Sequence, residues 1–248
     1  VPTALITGAT AGIGAAFVEP LRARGYDLVV VARDGDRLAR QVPDAEVIAA
    51  DLATEEGCAR VEKRLAQGVD LLVNNAGRGL GAPFDESMLE DQLAMLDLNV
   101  RAVLRLTHAA LPPMLARGSG TILNISSVAG FSAGVRGATY SASKAWVTNF
   151  TESLDLQYRH RGVRAVAVCP GFTHTEFHDR ASMDMSAVPK PLWLSAEQVV
   201  REALRDLDRG RTLSIAGPQY KAIVTATKLL PNAVRRQVSS IARKRLQR

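Results

Sequence analysis

The chain has 248 residues, 47% hydrophobic and 23% charged, with a formal net charge of +6: the balance of an ordinary soluble globular protein. Its two cysteines, Cys58 and Cys169, have neither the density nor the spacing of a disulfide framework or a zinc site, which suits a reducing compartment. No apolar run reaches the roughly 18 residues that cross a bilayer and no charged-then-apolar leader opens the chain, so the expectation is a cytoplasmic protein.

Ala4 to Ile6 reads as a short buried strand and Ala15 to Arg24 as a helix, with a glycine-rich turn between them. Asp27 to Ala32 is a Val-rich second strand, Glu46 to Ala50 a third and Val69 to Val73 a fourth, each followed by a polar, helix-compatible segment. A long helical pattern from Ser87 to Arg117 stops at the turn Gly118-Ser119-Gly120, ahead of a fifth strand from Thr121 to Ile125. Thr139 to Arg161 is a helix that Gly162 ends, Val163 to Val168 a sixth strand, Ser195 to Asp208 a helix and Thr212 to Ala216 a seventh strand. Ser195 and Gln198 have the spacing of a capping box. Such alternation predicts parallel strands joined by helical crossovers, an α/β fold. No Pro, Gly, Ser or charge run marks a linker, so residues 1–217 are expected to form one domain, with 218–248 a basic helical extension of it.

The turn after the first strand reads Thr7-Gly8-Ala9-Thr10-Ala11-Gly12-Ile13-Gly14. A helix N-terminus offers unpaired N–H groups and partial positive charge, and glycine lets a pyrophosphate approach the backbone. Gly8 makes the turn, Gly12 leaves room for phosphate and Gly14 lets helix and strand pack closely, the pattern of a dinucleotide site. The second strand ends in Ala32-Arg33. Arg33 suits the 2′-phosphate of NADP, whereas a shift of one residue would make Asp34 the acid that holds the ribose of NAD. Asn74-Asn75-Ala76-Gly77 leaves the carboxyl end of the fourth strand, where ligands bind in doubly wound sheets, although alone it reads as a turn.

Tyr140 and Lys144 stand four apart, hence on one helix face. A phenol with a pKa near 10 is a sluggish acid-base group at neutral pH, and a neighbouring ammonium is expected to lower it. Ser127, at the end of the fifth strand, has the reach to donate a hydrogen bond to a substrate carbonyl. Taken singly, a Tyr-Lys pair is a helix surface and a Ser-Ser pair a loop; coincidence with the glycine signature gives them chemistry. His174 and His178 lack a third partner at metal-ligand spacing, so no metal is expected. Cys169 reads as a small core residue and Trp146 as a packing or subunit surface.

These motifs, in this order, resemble those of the short-chain dehydrogenases/reductases, over roughly Thr3 to Gly217. The shared features are the loop Thr7 to Gly14, Asp51 after the third strand, Asn74 to Gly77, Asn99, Ser127, Tyr140 with Lys144, and Pro170-Gly171 followed by Thr175. The resemblance implies a three-layer Rossmann-type fold, doubly wound around about seven parallel strands, with a catalytic tetrad of Asn99, Ser127, Tyr140 and Lys144. It implies cofactor contacts from Gly8, Thr10, Gly12, Ile13, Gly14, Arg33, Asp51, Leu52, Asn75, Ala76, Gly77, Tyr140, Lys144, Pro170, Gly171, Thr173 and Thr175. Within that set, Asp51 meets the adenine, Asn75 to Gly77 the nicotinamide ribose, and Thr173 and Thr175 the carboxamide. NADP is the preferred cofactor and NAD the alternative, since Ala11 stands where some NADP-preferring members carry a second basic residue. The implied reaction is hydride transfer from NADPH to a carbonyl carbon, with Tyr140 protonating the oxygen, Ser127 polarising it and Asn99 seating a relay water behind Lys144.

Pocket walls implied by the same resemblance contain Phe131, Val135, Phe177, Met183, Met185, Leu192, Trp193 and Leu194, which favour a lipid, acyl or steroid-like carbonyl. Core packing accounts for many of the same residues. From Pro218 to the end there are eight Lys or Arg and no acid. Val234, Val238, Ile241 and Ala242 recur there at helical spacing, a basic amphipathic helix suited to an anionic membrane, or to the body or a neighbouring subunit. A homodimer or homotetramer is expected. The alternatives are a non-catalytic NADP-binding regulator, disfavoured by the intact Tyr-Lys pair, and an enzyme of small polar alcohols or amino-acid-derived substrates. Nucleic-acid binding is not expected, because the basic residues come without interleaved aromatics.

Overall fold

A computed structural model describes residues 1–133, 137–181, 185–186 and 188–229. Val135, Met183 and the basic helix expected after Pro231 lie outside the described residues.

Seven strands form one parallel sheet in the order β3-β2-β1-β4-β5-β6-β7. They are β1 Thr3–Thr7, β2 Asp27–Ala32, β3 Glu46–Ala49, β4 Leu71–Asn74, β5 Gly120–Ile125, β6 Val163–Cys169 and β7 Leu213–Ile215. The chain enters at the middle, winds outward through β2 and β3, then returns to lay β4 along the other side of β1. Leu5 therefore lies between Val29 and Leu72. Reversal of winding direction opens a crevice at the carboxyl ends of β1 and β4, the place where such sheets bind ligands.

Alternation of side chains along each strand divides the core into two layers. Ala4, Ile6, Val30, Val73 and Val168 face α1 Gly12–Ala16, α2 Val18–Ala23, α9 Ala196–Asp208 and Tyr220 of α10 Pro218–Leu229. Leu5, Val29, Val31, Leu72 and Ala165 face α4 Glu55–Leu65, α6 Ala102–Arg117 and α7 Ala138–Tyr158. Strands covered on both sides read as near-continuous apolar runs, as Leu28 to Val31 does. The remaining helices are α3 Gly35–Gln41, α5 Leu89–Leu96 and the short α8 Phe177–Arg180.

Three local departures from the sequence reading have physical causes. The first helix begins at Gly12 and is interrupted at Phe17, since Pro20 lacks the N–H that would bond Ala16 and its ring crowds that carbonyl. The long pattern from Ser87 to Arg117 is α5 and α6 joined by a wide π-turn, Asp97–Arg101, which carries the fully buried Asn99. Ser195 does cap α9, accepting from the Gln198 N–H at 3.0 Å. The reciprocal half of a capping box is missing, because the Gln198 amide donates onward to Glu202. Helix α10 occupies the first part of the helical extension expected over 218–248, and Gly217-Pro218 is its start signal, with proline at the first helical position.

Candidate active site

The loop between β1 and α1 is held by close backbone contact. Gly8 and Gly12 have φ of 68° and 57°, the left-handed region that favours glycine. Gly8 N–H donates to Val31 O at 2.7 Å, tying the loop to the end of β2. A Cβ on Gly14 would stand 2.3 Å from Gly8 O and 2.4 Å from Asn75 Nδ2, so only glycine fits. Thr10 and Ile13, on the same loop, are half-buried.

Asn75 ties the end of β4 to the glycine loop. Its side-chain amide donates to Thr7 O at 2.9 Å and Gly8 O at 3.1 Å, bracing the glycine loop from β4. Thr7 Oγ1 accepts in turn from the N–H groups of Asn75 and Ala76. The surface of this segment is left to Gly77, which is exposed. A Cβ there would lie 3.2 Å from Asn99 Oδ1 and 3.5 Å from Lys144 Nζ. Gly77 is thus the open floor between the glycine loop and the Tyr-Lys helix.

At the other end of the crevice, Arg33 is exposed and enters no ion pair among the described residues. Asp34 caps α3, its Oδ1 accepting from Arg37 N–H at 2.8 Å, which turns the carboxylate toward the helix. Asp51 is half-buried and accepts from Ala53 N–H at 3.0 Å, while Leu52 beside it is buried. Gly57 of α4 packs so tightly on the Asp51 carbonyl that a Cβ would lie 1.9 Å away.

Ser127, Tyr140, Lys144 and Asn99 converge although β5, α7 and the π-turn supply them separately. The Ser127 hydroxyl lies beside the Tyr140 phenol, donates to Pro170 O at 3.5 Å and accepts from Ala129 N–H at 3.1 Å. Lys144 is buried, with Nζ 5.8 Å from the Tyr140 ring centroid and donating to Ile125 O at 2.8 Å. Burial pulls Lys144 down to about 8 and pushes Tyr140 up to about 12, against the smaller lowering effect of Ser127. The expected lowering of the phenol by Lys144 is therefore not what this geometry gives. Desolvation outweighs a cation that faces a backbone carbonyl, and the Tyr140 phenol is held in its neutral form.

Asn99 exchanges two hydrogen bonds with the Arg78 backbone, each at 2.9 Å, and also donates to Ser143 Oγ at 3.3 Å. Its side chain fixes the segment after Gly77 to α7. Behind Lys144, Ser126 and Thr148 both donate to the Lys144 carbonyl, at 2.7 and 3.0 Å, and Cys169 is a buried thiol beside Thr148.

Pro170, Gly171 and Thr173 form the stem of a lid that runs to Leu194. Thr173 pairs with Leu194 in an isolated parallel bridge, and Thr173 Oγ1 donates to Gly171 O at 3.0 Å. The stem is pinned by Tyr220 of α10, a residue that no sequence motif singles out. Tyr220 is 3% exposed; its hydroxyl accepts from Phe172 N–H at 3.0 Å and donates to Leu192 O at 2.6 Å. Its ring fills the space over Gly171, where a Cβ would come within 2.0 Å. Thr175 lies over the second glycine: a Gly12 Cβ would sit 2.8 Å from its methyl carbon.

Phe177 of the lid stands with its ring centroid 5.7 Å from that of Tyr140, and a Gly79 Cβ would meet it at 2.9 Å. His174 stacks on Trp193 and His178 meets the same indole edge-on. Trp146 lies away from this cluster, stacked on Phe150 at 4.6 Å. Phe172, Trp193, His174, His178 and Phe177 thus form one linked aromatic cluster, which reaches Tyr140 through Phe177.

A profile of the short chain dehydrogenase family matches residues 2–186. A probable NADP-dependent dehydrogenase of Haemophilus influenzae is 36% identical over 190 residues, covering 71% of this chain and 75% of that protein. Among solved structures, a short-chain dehydrogenase from Sphingobium yanoikuyae in complex with NADPH is 33% identical with a TM-score of 0.83, covering 100% of this chain and 95% of that one. A bulky-bulky ketone specific alcohol dehydrogenase from Comamonas testosteroni is 31% identical with a TM-score of 0.78, covering 100% and 94%. The class defined by sheet, loop and cluster is that of NAD(P)-dependent oxidoreductases acting on CH–OH or C=O groups. The chain belongs to the short chain dehydrogenase family.

Proposed function

We propose that the protein is an NADPH-dependent reductase of bulky apolar ketones, with Tyr140 as the proton donor. The observation that carries this reading is the juxtaposition of Ser127, Lys144 and the Tyr140 phenol beneath Phe177, whose ring centroid is 5.7 Å from that of Tyr140. The residues fit a dinucleotide: the Gly8 to Gly14 loop leads from β1 into the start of α1, Gly77 is an open floor beside Lys144, and Arg33 is exposed at the end of β2. When bound, the nicotinamide supplies the hydride. Ser127 holds the carbonyl oxygen, Tyr140 gives it a proton, and Lys144, still protonated at neutral pH with its pKa about 8, stands behind to restore the phenol. Asn99 acts by fixing Gly77 and Arg78 against α7.

The preference for NADP rests on Arg33 and on the capping role of Asp34, and the NADP-linked names of two relatives agree with it. A bulky apolar substrate is supported by the aromatic lid and by the bulky-ketone specificity of the Comamonas testosteroni enzyme. The measurement is the fall of nicotinamide absorbance when NADPH meets a panel of small ketones, aryl and steroid-like ketones and acyl thioesters. Turnover confined to small polar carbonyls would overturn the substrate class. Arg33→Ala should cut the NADPH-over-NADH preference by about 1.5 to 3 kcal/mol, the worth of a charge-assisted hydrogen bond; equal binding of both nucleotides by the parent would overturn the cofactor choice.

Self-association is supported by Leu89, Leu93 and Leu96 of α5 and Leu104 of α6, exposed at helical spacing. Free, buried Cys58 and Cys169 suit a cytoplasmic setting. The basic tail extends the proposal to the surface of an anionic membrane, with vesicle co-sedimentation that weakens with salt as its test.

A further inference from the structure

One ion pair crosses from the dinucleotide side of the molecule to the lid. Arg37 stands in the first turn of α3, four residues after Arg33, and its Nη2 lies 2.9 Å from Glu176 Oε1. The two residues are 139 apart in sequence. Glu176 follows Thr175, whose methyl group covers Gly12, and it is also paired with Arg180 of α8. The lid edge Thr175-Glu176 thus reaches from the second glycine of the loop to the helix that follows β2. A dinucleotide laid along the glycine loop toward Arg33 runs along this edge.

The Arg37–Glu176 pair is suited to being exchanged. The two side chains are 34% and 46% exposed, and an ion pair so accessible to water and salt is weak. A phosphate dianion is a stronger partner for a planar guanidinium than this singly bonded carboxylate, because it carries more charge and can take the fork through two parallel hydrogen bonds. Asp34, the acid that would repel such a phosphate, is turned into the cap of α3 by the N–H of Arg37 itself. Arg33 follows β2 and Arg37 lies in the first turn of α3, on either side of the Asp34 cap.

We infer that Arg37 is a second reader of the 2′-phosphate of NADPH, held against the lid by Glu176 until the nucleotide arrives. This rests on the NADP reading above. NADPH then takes the guanidinium from Glu176 and loosens the lid edge, whereas NADH, with no phosphate at that position, leaves the pair closed. Glu176 is a specificity-determining residue acting through Arg37, and it works against NADPH affinity.

Equilibrium binding of NADPH and NADH, followed by nicotinamide fluorescence, tests this in the parent, Arg37→Ala, Glu176→Gln and the double variant. Arg37→Ala should weaken NADPH about tenfold and leave NADH within twofold. Glu176→Gln should tighten NADPH severalfold, again sparing NADH, and should have no effect once Arg37 is Ala. A parent that prefers NADPH, with neither variant moving that preference, would overturn the inference while leaving the NADP reading in place. Equal shifts for both nucleotides would also overturn it, since a simple strap over the crevice does not distinguish them. A parent that binds both nucleotides equally would overturn the NADP reading and the inference together.

Discussion

Around the glycine loop, position is set by backbone meeting backbone: Gly8 N–H on Val31 O, and Gly14 against Gly8 O with no room for a methyl group. Around Tyr140, position is set by buried polar side chains: Ser126 and Thr148 on the Lys144 carbonyl, Asn99 on Arg78 and Ser143, Asn124 on Thr151. The first arrangement fails when an atom is added and the second when one is removed. A surface made of backbone can take a ligand that shows any protein the same phosphates. A surface made of side chains can be specific about which proton moves.

The largest effect should come on the side-chain half. Tyr140→Phe removes one oxygen and no packing, and turnover should fall about 10²- to 10⁴-fold, the usual worth of a positioned acid, while NADPH binding is kept; a titration of binding beside steady-state rates checks both. Gly14→Ala tests the opposite half by adding one carbon, 2.3 Å from Gly8 O. It should destabilise the fold by about 1–3 kcal/mol, as overpacking does, and weaken both nucleotides alike; urea midpoints unchanged from the parent would show that the loop yields.

Asn124→Ala removes a buried amide that accepts from Asn74 and donates to Thr151. Stability should drop by about 1–3 kcal/mol, from buried groups left without partners, with nucleotide affinity little altered; a matching loss of affinity would mean that the halves are not independent. The last effect is one of pH and leaves the parent's fold unaltered. Burial holds Lys144 at about 8 in the fold, against an ordinary value of 10.5. Below 8 both states are protonated and the fold carries the full cost of a buried ammonium. Between 8 and 10.5 the unfolded chain holds a proton that the folded protein has released, so stability rises with pH across that window. Lys144→Met should be more stable than the parent at pH 7, and denaturation midpoints should show this gap closing toward pH 10.5.

Much of this was legible in the sequence because the sheet is covered on both faces. Val29, Val30 and Val31 in a row leave little choice but a buried parallel strand, and a glycine cluster between strand and helix has few other uses. Asn99, Ser127, Tyr140 and Lys144 can be singled out from motifs, but their environment cannot. The spacing of Tyr140 and Lys144 brings the two onto one face, yet it does not reveal that Lys144 points to Ile125 O or that burial dominates both groups. Nor does the motif reveal that the Asn75 amide faces the glycine loop, a direction set by β4 lying beside β1. Arg37–Glu176 and Tyr220–Phe172 join residues far apart in the chain, where no periodicity carries a signal.

Thr107, Asn74, Asn124 and Thr151 form one unbroken line of side-chain hydrogen bonds from α6, across the register-paired residues of β4 and β5, into α7. Neither helix can slide along the sheet without breaking a rung of this line, so α6 and α7 share one phase with the strands beneath them. The carboxamide protons of Asn74 and Asn124 are enclosed there and should exchange with solvent only when β4 and β5 part. They make a native clock for the opening of the sheet at the floor of the crevice, readable by NMR without any ligand or label.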